Sequence, residues 1–65
     1  GIVSAPTARQ LAARHVRKLR TIRAKLIDMA SQWDGLDQFN LGELERLADQ
    51  AEKVAADLTA EELES

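Results

Sequence analysis

The chain is 65 residues long, with nine Lys or Arg against eleven Asp or Glu, one histidine, no cysteine and a net charge of −2. All seven charged residues up to Ile27 are basic (Arg9, Arg14, Arg17, Lys18, Arg20, Arg23 and Lys25), whereas from Asp28 onward eleven acids face only Arg46 and Lys53. Disulfides, thiolate metal sites and a histidine-built zinc centre are excluded, and a single domain this short (1–65, with 1–5 expected to be flexible) buries so little surface that self-association is the expected supplement.

The first helix is expected over residues 7–33. Ala8, Ala12, His15, Leu19, Ile22, Leu26, Met29 and Trp33 follow a 4-3-4-3-4-3-4 spacing that keeps one seam on one side of a helix. Leu11, Val16 and Ala30 flank that seam. Thr7 with Gln10 three residues on reads as a capping box, Ser4 being the competing cap, and Pro6 sits outside where its missing N–H does no harm. Asp34-Gly35 supplies the stop, since glycine accepts the left-handed conformation that closes a helix.

The second helix is expected over residues 41–58, with Asn40 as its cap, Glu43 three residues later and Phe39 stapled onto Leu44. Leu41, Leu44, Ala48, Ala51, Ala55 and Leu58 repeat at 3-4-3-4-3, with Leu47 and Val54 beside them. The alanines permit close helix contact. Thr59 followed by Glu62 repeats the start signature and predicts a break with a short terminal helix at 60–64.

A connection of about seven residues between two long helices gives antiparallel neighbours, so the fold class is all-α, a helical hairpin. Aligning Trp33 with Leu41 puts Leu26 near Ala48 and Leu19 near Ala55. Lys25 then meets Asp49 or Glu52, and Lys18 and Arg14 meet Asp57 and Glu61, which makes the charge split an orientation signal. Exposed pairs of this kind stabilise by only ~0–1 kcal/mol each, so burial must supply the rest. Pairing two hairpins into a four-helix bundle covers the wide apolar face of helix one, with Ala12, His15, Leu19, Ile22, Leu26, Met29, Leu44, Ala48, Ala51 and Leu58 as the core and dimer seam.

His15 on that seam reads as a core or interface histidine, with a pH-sensitive interface as the sharper alternative. The cations of helix one suggest at first a nucleic-acid helix, because clustered charge gains affinity by releasing counterions. Arg14, Arg17, Lys18 and Lys25 share one side and form a second candidate patch, but Arg9, Arg20 and Arg23 lie across the seam. The acidic second half opposes general DNA binding, so nucleic acid ranks second.

The turn is the first candidate site. Trp33 and Phe39 are the only aromatics and bracket Asp34, Gly35, Leu36, Asp37 and Gln38. They serve either as seam end and staple or as an interaction anchor: aromatics and Leu36 at a hairpin tip, rimmed by Asp34 and Asp37, have the composition of an interface hot spot. Such an apolar anchor with an acidic rim suits a protein partner with a basic or mixed groove.

Trp33-Asp34-Gly35 at a helical junction resembles the Trp-x-Gly signature of the secreted WXG hairpin family. The likeness covers three residues, the arms of that family are longer and its secretion motif is not found, so nothing is carried over. Length, hairpin pattern and Phe39 near the second helix start resemble the small early proteins of bacteriophages that disable host regulators. Among these, the layout is similar to the helical-hairpin anti-activators of Pseudomonas phages, which bind a quorum-sensing transcription factor and a pilus ATPase. That resemblance implies a non-enzymatic binding protein that inhibits or regulates a host factor.

No catalytic constellation is present: acid–base work needs groups converging on a pocket, and Ser31 has no base placed to activate it. Neither a cofactor nor a membrane partner is expected. The absence of a long apolar run and of a signal-type start predicts a soluble, cytoplasmic protein. Two classes remain, a dimeric protein-binding module and a small DNA-associated regulator.

Overall fold

The computed structural model describes the backbone of residues 7–64 and the side chains of residues 7–60. The expected flexibility of residues 1–5 and the competing cap at Ser4 lie outside the described residues. The chain forms two helices, α1 (Ala8–Gln32) and α2 (Gln38–Glu64), which pack against each other as a hairpin.

Helix α1 begins where its side chains satisfy the first free amides. Thr7 Oγ1 accepts from Gln10 N at 3.1 Å, and the Gln10 side chain accepts from Thr7 N at 3.0 Å. This is the capping box read from the sequence, two donors satisfied reciprocally. At the other end Trp33 caps the helix, and Gly35 takes φ +80, a left-handed conformation that costs glycine little.

Helix α2 departs from expectation at both ends. The side chain of Asp37, and not that of Asn40, caps it: Asp37 Oδ1 accepts from Phe39 N at 3.0 Å and Asn40 N at 3.2 Å, while its carbonyl accepts from Leu41 N. Asn40 and Phe39 therefore lie inside the first turn, and Phe39, 72% exposed, does not staple onto Leu44. Nor does the helix break after Leu58. Thr59 Oγ1 donates back to Ala55 O at 2.8 Å, which satisfies the hydroxyl within a continuing helix and leaves the backbone helical through Glu64.

The core is small. Its buried members are Ala12, Val16, Leu26 and Ala30 on α1 and Ala48, Ala51 and Ala55 on α2, with Leu19, Arg23, Leu41, Leu44 and Leu58 half-buried. Ala55 is wholly covered and Ala48 nearly so, as expected for a small-residue seam that lets two backbones approach closely. On α1 the seam runs through Ala12, Val16, Leu19, Arg23, Leu26 and Ala30. Ala12, Leu19 and Leu26 sit where expected, but His15, Ile22 and Met29 are exposed, displaced by Val16, Arg23 and Ala30. The close approach explains the difference: opposite alanines, bulky Ile22 and Met29 fit worse than a small residue or an arginine stem that can extend toward water.

Among the described side chains the expected interhelical ion pairs do not form. Among the described residues the one salt bridge joins Arg46 to Glu43 within α2, so Lys25 does not pair with Asp49 or Glu52, nor Lys18 and Arg14 with Asp57. Glu61 lies outside the described side chains. Arginine and lysine on an exposed helix keep their hydration and rotamer freedom unless geometry repays both losses.

Candidate functional site at the hairpin tip

Five residues, Trp33 to Asp37, connect the helices. Trp33 N donates to Ala30 O at 3.0 Å and Asp34 N to Ser31 O at 3.2 Å, tightening the last turn of α1. Leu36 N and Asp37 N both donate to Trp33 O, at 2.8 and 3.0 Å, which folds the connection into a hydrogen-bonded loop. The tip thus has a defined backbone on which its side chains are displayed.

Those side chains are apolar and wet. Leu36 is 78% exposed, Phe39 as described above, and Trp33 is partly covered at 38% exposed. Phe39 does not serve as the staple expected of it, while Trp33, at seam spacing after Ala30 and partly covered, fits the end of the seam. The two carboxylates differ in function: Asp37 is tied to the first amides of α2, while Asp34 is exposed and makes no side-chain hydrogen bond. Of the expected acidic rim, only Asp34 is wholly free to meet a partner.

The second patch is also exposed. Arg14, Arg17, Lys18 and Lys25 line a shallow groove along α1 together with Thr21 and Ile22. A matching groove on α2 is bordered by Glu43, Leu44, Arg46, Leu47 and Gln50. Arg23, read as a flanking cation, is instead a seam residue whose Nε is buried with no hydrogen-bond partner.

Among the described residues no cluster of three His, Asp or Glu is arranged to hold a metal, and no helix is long and apolar enough to cross a membrane. No family model, no curated protein and no solved structure matches this chain.

Proposed function

We propose that this hairpin is a non-enzymatic, dimeric protein-interaction module that binds another protein through its tip and inhibits or regulates it. The observation that carries this reading is the display of Leu36 and Phe39, about three-quarters exposed, beside Trp33 on a hydrogen-bonded turn. Exposed apolar side chains have a solvation cost that the fold does not offset, and aromatic anchors at a protruding tip fit a pocket on a partner. Asp34 favours a partner whose groove is basic or mixed. The likeness in size and layout to phage anti-activators supports a host transcriptional regulator or ATPase as the type of target, in the cytoplasm.

The dimer follows from a shortage of burial. Five of the seven buried core residues are alanines, so the hairpin alone removes little apolar surface from water. Two hairpins packed as a four-helix bundle cover the exposed Ile22, Met29, Leu47 and Val54.

The test is a pull-down from the native host with the intact chain as bait, followed by affinity measurement on the retained protein. Phe39→Ala and Leu36→Ala are expected to weaken that complex, the Phe39 change by about 2 kcal/mol or roughly thirtyfold. Binding unaffected by both changes contradicts the tip as the site.

One observation favours a second reading. With no ion pair formed by α1 cations among the described residues, Arg14, Arg17, Lys18 and Lys25 remain available to phosphates. A small DNA-associated regulator would bind duplex with an affinity that falls steeply between about 50 and 200 mM salt and would lose it on charge removal from this patch. The tip reading predicts salt-resistant binding that survives those substitutions.

A further inference from the structure

The exposed apolar residues of the two helices have the same phase relative to the seam. His15, Ile22 and Met29 each precede a seam residue of α1 by one position and follow another by three; Leu47 and Val54 stand in the same relation to the α2 seam. Antiparallel helices are related by a local twofold axis normal to the plane containing them, and such an axis keeps each broad side of the pair on itself. Positions of equal phase therefore share one side of the hairpin. Ile22, Met29, Leu47 and Val54, all exposed, form a single apolar face that spans both helices, with the exposed His15 at its end on α1. The opposite side carries Arg20 and Ile27 with Glu45 and Glu52, and is polar by comparison.

The edges of the apolar face carry opposite charge. Lys18 and Lys25 run along its outer margin on α1, while Glu43, which pairs with Arg46, the neutral Gln50 and Asp57, unpaired among the described residues, run along its outer margin on α2, all exposed. A second hairpin can be laid on this face by either of two twofold axes. One axis lies parallel to the helices and sets α1 over α2 of the second copy, with both turns at one end. The other lies across them and sets α1 over α1, with the turns at opposite ends. The first brings the lysines over the margin that carries Asp57, and in the register that places Leu26 beside Ala48 it sets Lys18 level with Asp57 and Lys25 level with the neutral Gln50 of the second copy. The second brings Lys18 toward Lys25 of the second copy and the acidic margins toward each other.

We propose that the occupant of this face is a second copy of the chain, docked turn to turn with α1 over its α2. This rests on the dimer proposed above and adds to it the face, the symmetry axis and the placement of both tips at one end. The molecule is 11 Å in its thinnest dimension, a single layer of helices, and needs a second layer to enclose a core. A face of about 37 by 20 Å, the length of α1 by the width of two helices, buries roughly 750 Å² per copy and about 1,500 Å² in all, the size of a standard specific interface.

The experiment has two arms on the full chain. A nitroxide on Leu36→Cys, introduced at an exposed turn position in a chain without other cysteines, reports the distance between the two turns by electron–electron dipolar spectroscopy. Turn-to-turn docking predicts a separation near the width of a bundle, ~20 Å. A separation near the helix length, ~40 Å, overturns the orientation and leaves the dimer standing. The absence of a dipolar distance, together with the mass of a single chain, overturns both, including the case in which another protein covers this face.

In the second arm, Lys18→Glu with Lys25→Glu, and separately Gln50→Lys with Asp57→Lys, are each expected to weaken self-association at least tenfold. An equimolar mixture of the two variants restores it, because every mismatched margin then meets its complement. Unchanged association in both variants, or a mixture no tighter than its components, overturns the role of the charged margins. Neither arm depends on the tip being the partner site: Phe39→Ala is expected to weaken partner capture with the dimer intact.

Discussion

Asp37 illustrates how a short polar side chain sets an element boundary. Its carboxylate holds two amides of the first turn of α2 and so sets the cap three residues before the one expected at Asn40. Asp37→Ala is expected to lower stability by about 1 kcal/mol in urea unfolding, and Asn40→Ala by much less. Equal losses would restore Asn40 as the cap. The two internal glycines respond in opposite directions. A Cβ meets nothing within 4 Å at either Gly35 or Gly42, so space does not decide the outcome. Conformation does: Gly35 has φ +80, and its replacement by alanine costs about 1 kcal/mol, whereas Gly42 is helical and its replacement stabilises by about 0.5–1 kcal/mol. Thermal midpoints moving in the same direction for both would contradict these assignments. Arg23 is the one described seam residue whose polar group is left without a partner, so Arg23→Met, which keeps the stem and removes the buried Nε, is expected to stabilise the fold by about 1 kcal/mol. A loss of stability would show that its guanidinium contributes a contact outside the seam.

At the scale of elements, most of the hairpin is legible in the sequence. The capping box of Thr7 and Gln10, the stop at Gly35 and the alanine seam of α2 each rest on local chemistry, and local chemistry is what a sequence records directly. The phase of the α1 seam was not legible to one step. Two overlapping 4-3 patterns share Ala12, Leu19 and Leu26, and the bulkier pattern, through His15, Ile22 and Met29, is the more hydrophobic. The seam follows the smaller one because interaxial distance, a property of both helices together, decides which side chains fit. Thr59 misled for a related reason: its hydroxyl serves equally as a cap or as a donor to the preceding turn, and only the continuing helix selects the second. The tip residues were legible as a group, yet the separate duty of Asp37 was not, since its selection over Asn40 as the cap depends on where the backbone turns. Close packing at the α2 seam carries its own test. Ala55→Leu, at a position with no exposed surface, is expected to destabilise by about 1–3 kcal/mol through overpacking. An increase in the thermal midpoint would imply space between the helices.

At the scale of the whole molecule, charge, thickness and exposed apolar surface converge on one physical picture. A basic helix lies beside an acidic one with no ion pair from helix to helix among the described side chains, so the charge asymmetry is displayed instead of being neutralised within the hairpin. Its layer of helices is thin, its core is mostly alanine, and its exposed bulky side chains, Ile27 on the opposite side apart, lie mostly on one broad face and at the tip. In the proposed dimer, sharing that face supplies the missing burial and leaves Leu36 and Phe39 free for a partner. Sedimentation equilibrium of the intact chain at micromolar concentration, followed across a dilution series, tests this most directly. The account predicts twice the mass of a single chain, dissociating on dilution; a single-chain mass at every concentration, for a molecule that remains folded, would contradict it.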